Sequence, residues 1–96
     1  MAVKTLQITQ TGSAVQFATV ATFARWMVIQ NNAAAVARVG DANVSATVGN
    51  SLPATNTVNS VLPLEPMPDG THYDLSQWWT IGTSTQKLDI IYDAMN

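Results

Sequence analysis

The sequence predicts an all-β fold, a single small β-sandwich of about seven or eight short strands. Three observations carry that expectation. Apolar and polar residues alternate over short segments, the period of a strand with one buried face. Turn chemistry built from Gly, Asn, Asp, Pro and Ser recurs about every ten residues. No N-cap and capping box opens the strongest apolar run, Phe23–Gln30, where a helix would compete. With 96 residues the chain holds one domain, read as 1–96 with residues 1–4 as an extended arm.

The elements are taken in chain order. In Val3–Gln10, Leu6 and Ile8 alternate with Thr5, Gln7 and Thr9, a half-buried strand. Thr11-Gly12-Ser13 is a turn, and Ala14–Phe17 a short second strand. Phe23–Gln30 is the strongest apolar run, apolar on both faces as a central sandwich strand is. A helix competes there, because Phe17, Val20, Ala21, Ala24, Met27 and Val28 also fit helical spacing. The strand is preferred because Asn31-Asn32 closes the run with residues that tolerate a hairpin turn, and the flanks are rich in Val, Thr and aromatics. Ala35–Val39 is the next strand, ended by Gly40-Asp41. Val44, Ala46 and Val48 alternate with Ser45 and Thr47, another strand, ended by Gly49-Asn50. Leu52-Pro53 turns the chain, and 57–64 alternates again. Pro63, Pro66, Pro68 and Asp69-Gly70 mark edges and loops. Residues 73–82 hold a turn and then a strand. In Lys87–Ala94, Leu88, Ile90, Tyr92 and Ala94 face one way, and Lys87, Asp89 and Asp93 the other. Strand count and alternation are the same for a jelly roll and an immunoglobulin-like order, so both stay open.

Composition narrows the function. Charged residues make up 10% of the chain, against about 25% in an ordinary soluble domain. A surface of Thr, Ser, Asn, Gln and Ala is cheap to desolvate, which points to burial in an assembly. Lys4, Arg25, Arg38 and Lys87 are too few and scattered for a nucleic-acid footprint. There is no cysteine, which excludes disulfide scaffolds and thiol nucleophiles. No apolar stretch reaches the length of a membrane span, and the N-terminus lacks a secretory apolar core, so a soluble chain made in a cytoplasm is expected.

Catalytic chemistry is not expected. The single histidine, His72, sits among Asp69, Asp74 and Ser76 in a turn-rich segment, where Asp and Ser commonly cap turns. A metal at Asp69, His72 and Asp74 is disfavoured because no ligand spacing is present. Glu65 is the one glutamate and nothing selects a carboxylate pair. No catalytic residue, metal ligand or cofactor is therefore assigned. Trp26, in the central run, is read as core. Adjacent strand residues point to opposite faces, so one of Trp78 and Trp79 can join the core while the other faces out, towards a subunit or a sugar ring; the alternative is that both are buried, one of them under a loop. Arg25 is costly to bury unpaired, so it is exposed at an interface or paired with Asp89 or Asp93. The candidate interface residues are Met1, Ala2, Val3, Lys4, Arg25, Pro66, Met67, Pro68, His72, Tyr73, Trp78 and Trp79.

One resemblance adds to this reading. The stretches Arg25-Trp26-Met27-Val28-Ile29-Gln30-Asn31-Asn32 and Ala37-Arg38-Val39-Gly40-Asp41-Ala42-Asn43-Val44-Ser45-Ala46-Thr47, then Gly49 and Leu52-Pro53, resemble small structural proteins of tailed bacteriophages. The closing strand Leu88-Asp89-Ile90-Ile91-Tyr92 is similar as well. The likeness spans roughly residues 20 to 94 and lapses in the proline-rich piece from Thr57 to Asp69. It implies a β-sandwich virion protein, a capsid decoration (cement) protein made in the host bacterial cytoplasm and carried on the capsid surface. The partners it implies are the major capsid protein and other copies of the chain, as a homotrimer rather than a dimer, with no nucleic acid and no membrane. The alternatives are a carbohydrate-binding or adhesion module of a tail or baseplate, with Asp69, His72 and Asp74 bonding sugar hydroxyls, and a head-tail connector subunit.

Overall fold

The computed structural model describes residues 2–54 and 60–95. Among them are nine strands: β1 (Ala2–Thr9), β2 (Val15–Gln16), β3 (Phe23–Asn32), β4 (Ala37–Gly40), β5 (Asn50–Leu52), β6 (Val61–Leu64), β7 (Tyr73–Asp74), β8 (Trp79–Ile81) and β9 (Lys87–Ala94). One 3-10 turn, Leu75–Gln77, separates β7 from β8. The fold is all-β, as the alternation predicts.

Two antiparallel sheets form. The five-stranded sheet runs β1-β9-β3-β6, with β7 beside β6 on the same flank of β3. The four-stranded sheet runs β2-β8-β4-β5. Ile8, Met27, Ile29, Leu88, Ile90 and Tyr92 from the first sheet meet Ala37, Val39 and Leu52 from the second in one buried cluster. Phe17 and Leu75 belong to the same cluster. Burying one such side chain stabilises by about 1.5–3 kcal/mol, so this layer is the main source of stability.

The chain's first and last strands are neighbours in the larger sheet. All eight residues of β1 pair in unbroken register with β9, from Ala2 with Ala94 to Thr9 with Lys87. Residues 2–4 are therefore strand, a correction to the extended arm: their partners are Ala94, Asp93 and Tyr92. Met1 lies outside the described residues.

Three further expectations are corrected. Asn31-Asn32 is not a hairpin turn but the end of β3. Asn31 is fully buried, and its Nδ2 lies 2.8 Å from the Ala35 carbonyl, 3.1 Å from that of Leu52 and 2.9 Å from that of Pro53. An amide side chain that satisfies buried carbonyls stabilises more there than in a turn.

Val44–Val48 is not a strand. Asp41 Oδ1 accepts from the Asn43 N–H, and Ser45 Oγ accepts from the N–H groups of Thr47 and Val48. Side chains that bond nearby backbone compete with a sheet ladder, and here they win. Arg38 completes the loop by donating to the carbonyls of Ala46 and Gly49. Gly49 has φ +124°, and a Cβ there would stand 2.7 Å from Val44 Cγ2 and 2.9 Å from the Val39 carbonyl oxygen.

Trp26 is half-buried and outside the core. The pairing of β3 with β9 slips between Ala24 and Met27, because one extra residue sits on β3 there. Such a bulge resets which residues face inward. Ala24 and Met27 are buried, while Arg25 and Trp26 both stay off the core. Pro63 stands on β6, an edge strand, where a missing donor is tolerated. The part of the 57–64 alternation at residues 57–59 lies outside the described residues.

Candidate assembly surface

Residues that alternate with the core ones form the outer face of the five-stranded sheet. Cross-strand register sets them in rows. Thr5 pairs with Ile91, Ile91 with Val28, and Val28 with Pro63. That row is mostly apolar, and Ile91 at its middle remains 38% exposed. The next row is polar: Gln7, Asp89 and Gln30, ending at the exposed Val61. A shallow groove of about 480 Å³ lies over the two rows, lined by Thr5, Gln7, Val28, Gln30, Asp89 and Ile91.

Side-chain bonds stiffen this face. Asp89 accepts from Gln7 Nε2 at 2.8 Å on one side and from Asn32 Nδ2 at 3.0 Å on the other, a tie across β1, β9 and β3. Lys87 Nζ donates to Thr9 Oγ1. At the opposite end, Arg25 Nη1 lies 3.4 Å from Asp93 Oδ2. The Asp93 side chain is 1% exposed and the Arg25 side chain 51%. Asp93 Oδ1 also accepts from the Ala2 N–H. This pairing is one of the two offered for Arg25 from sequence.

The structure gathers some of the candidate residues and disperses others. Arg25, Pro66, Met67 and His72 line one small cleft, together with Gly70 and Thr71. Pro68 is exposed on the same loop. The Tyr73 hydroxyl donates to the Glu65 carbonyl and holds the base of that loop. Ala2 joins this end through Asp93, and the exposed Val3 and Lys4 follow it along β1.

The tryptophans divide between core and surface. Trp78 packs against the core, its ring stacked 6.2 Å from Phe17 and edge-on 6.4 Å from Tyr73. Trp79 pairs with Gln16 and Gly40, half-buried on the outer face of the four-stranded sheet. It therefore belongs to the opposite side of the molecule from the Ile91 row.

Asp69 and Asp74 are occupied with local turns. The Thr71 hydroxyl and N–H donate to Asp69 and hold its carboxyl below the ordinary range. Asp74 accepts first from the Thr22 N–H, then from the N–H and hydroxyl of Ser76. These bonds lower its pKa against a smaller opposing effect of partial burial. Among the described residues no three of His, Cys, Asp and Glu come together to hold a metal ion, and no helix is long and apolar enough to cross a membrane.

Sequence reasoning missed the Val28–Ile91 row. The signal was there: Ile90-Ile91 breaks the alternation of the last strand, and Phe23–Gln30 is apolar on both faces. The central run is absorbed by the expectation of a strand buried on both faces, and Ile91 is passed over in a last strand read as simple alternation. Comparison with protein-family models, curated proteins and solved structures finds no match for this chain.

Proposed function

We propose that the chain is a non-enzymatic structural protein of a virus particle, a decoration (cement) protein that binds the major capsid protein at joints between capsomers. The observation that carries this reading is the unroofed row of Thr5, Ile91, Val28 and Pro63 on a stiff sheet face, in a chain with very few charges. A subunit of this kind needs area that desolvates cheaply rather than a reaction centre. Many weak contacts repeated over a shell become durable through multivalency. The residues that offered chemistry in the sequence, Asp69 and Asp74, are spent on turns, which also favours a non-enzymatic role. The resemblance to tailed-bacteriophage structural proteins gives the particle its class.

A second reading, a sugar-binding module of a tail or baseplate, draws on the same groove. Gln30 there is an amide that bonds hydroxyl groups, while Gln7 and Asp89 are already bonded to one another. The version built on Trp78 with Asp69 and Asp74 is disfavoured, because Trp78 packs on the core and both carboxylates are engaged.

The test is a copy count by quantitative mass spectrometry of purified particles, against the major shell protein. Hundreds of copies are expected. About a dozen would move the chain to a connector ring, as closed cyclic symmetry dictates. Absence would overturn the virion reading. Ile91→Lys, at the centre of the row, should fold and yet lose its place on the shell.

A further inference from the structure

Three of the four flanks of the two sheets are blunted. The four-stranded sheet ends in β2, of two residues, and β5, of three. The β6 flank carries Pro63. The fourth, β1, is eight residues long, has no proline and no bulge, and carries one charge, Lys4. Among the described residues nothing pairs with its outer side. Long, regular, nearly uncharged edges are templates for another strand.

The ladder shows which groups are free. The Gln10 N–H donates to the Gln86 carbonyl and its C=O accepts from the Thr85 N–H, so Gln10 turns its backbone towards β9. The Ala2 N–H, at the other end, also turns that way, to Asp93. Antiparallel ladders alternate. Lys4, Leu6 and Ile8 therefore bond β9, and Val3, Thr5, Gln7 and Thr9 direct N–H and C=O outward.

We propose that β1 pairs with β1 of a second copy of this chain, antiparallel about a two-fold axis through Leu6. This goes beyond the role proposed above and does not depend on it. The register follows from the free groups and from charge. With Leu6 opposite Leu6, Val3 meets Thr9 and Thr5 meets Gln7, so all four outward residues are bonded on each strand. Shifting the axis to Thr5 brings the two Lys4 residues to about 7 Å apart along the strand, inside the screening length at physiological salt. Shifting it to Lys4 sets two like charges face to face, which destabilises a strand pair. In the Leu6 register the two Lys4 residues stand about 13 Å apart along the strand, beyond the screening length at physiological salt. The outer-face rows then run on across the axis, the Thr5–Ile91–Val28 row of one copy meeting the Gln7–Asp89–Gln30 row of the other. A strand edge alone buries less than a standard interface, so the dimer is weak in isolation and strengthened wherever copies are held close.

Proline separates the two sides of the strand. Thr5→Pro and Gln7→Pro remove outward donors and leave the β9 ladder intact, the position where sheets tolerate proline. Sedimentation velocity from about 10 μM to about 1 mM should show the wild type shifting from monomer to dimer over the range typical of small interfaces. Both proline variants should stay monomeric at the top concentration with unchanged circular dichroism. Leu6→Cys supplies the chain's one thiol, and mild oxidation should give a covalent dimer, because residues on the axis face one another. A wild type that is monomeric throughout, a trimer, or a dimer that survives Thr5→Pro would overturn the proposal. So would a Leu6→Cys variant that folds and dimerises but does not cross-link.

Discussion

Asn31→Ala removes the clasp that joins the end of β3 to the chain around β5. The Asn31 side chain is fully buried, and its amide nitrogen faces three carbonyls, those of Ala35, Leu52 and Pro53. Its two protons serve these three acceptors, while its own Oδ1 has no partner among the described residues. Losing two such bonds at about 1 kcal/mol each, and leaving the buried Leu52 carbonyl without this donor beside a small void, should cost about 3–4 kcal/mol. For a domain of this size that lowers the melting temperature by roughly 12–30 °C. Thermal and urea unfolding followed by circular dichroism measure it. Asn31→Asp gives a sharper signature. A carboxylate facing three carbonyls is repelled, so its folded pKa rises above the unfolded value of about 3.9. Its destabilisation is then full at pH 7 and relieved as pH falls through the folded pKa, where the acid can donate one bond. A loss below about 1 kcal/mol for Asn31→Ala would fall short of one buried bond and refute the clasp. So would an Asn31→Asp deficit relative to wild type that does not change with pH.

Other expectations rest on single contacts. Gly49→Ala should lose about 2–3 kcal/mol in urea unfolding, because a positive φ and two clashes coincide, whereas Gly12→Ala, at φ +86° with open space, should lose about 1 kcal/mol. Trp78→Ala should lose about 3–5 kcal/mol, the usual cost of emptying a packed aromatic site, and Trp79→Ala distinctly less, since its ring lies outside the core. Asp74 has a depressed folded pKa, so the stability it contributes is present above about pH 4 and is lost as pH falls through that lower value. Asp74→Asn should flatten the acid limb of a melting-temperature profile, and an unchanged limb would show that other carboxylates set it.

Alternation revealed what each strand buries but not which strands are neighbours. Leu88, Ile90 and Tyr92 are inward as their spacing requires, and so are Met27 and Ile29. Nothing in that spacing says that β9 lies between β1 and β3, because pairing of residue 2 with residue 94 leaves no local mark. Two of the errors share a cause. Val44–Val48 alternates as well as any strand, yet Asp41, Ser45 and Arg38 bond its backbone locally, and alternation is blind to such competition. Asn31 reads as turn chemistry because asparagine is common in turns, although its amide is worth more against the buried Leu52 carbonyl. Trp26 failed for another reason. A bulge adds one residue and reverses the faces of the residues beyond it, so a period-two reading cannot cross it. The candidate surface was legible only in part: Arg25, Pro66, Met67 and His72 do come together, while the Ile91 row was hidden by its own apolarity.

The placement of β9 ties the fold to the proposed assembly. Among the described strands it has the longest pairing on both sides, to β1 and to β3, and it follows the other eight in chain order. Until it docks, β1 has no neighbour at all and β3 lacks its longest one. The larger sheet therefore closes only by contacts between residues far apart in sequence, which is slow to form and leaves edges open meanwhile. A chain with few charges has little with which to repel wrong partners during that interval. Pro63 blunts the β6 edge by removing a backbone donor, whereas β1 carries Lys4 alone. Selection for solubility alone would place more charge along β1. The eight-residue edge left almost uncharged is intelligible if pairing at β1 is useful once the sheet is complete, and the same economy of charge leaves the Ile91 row ready to be covered.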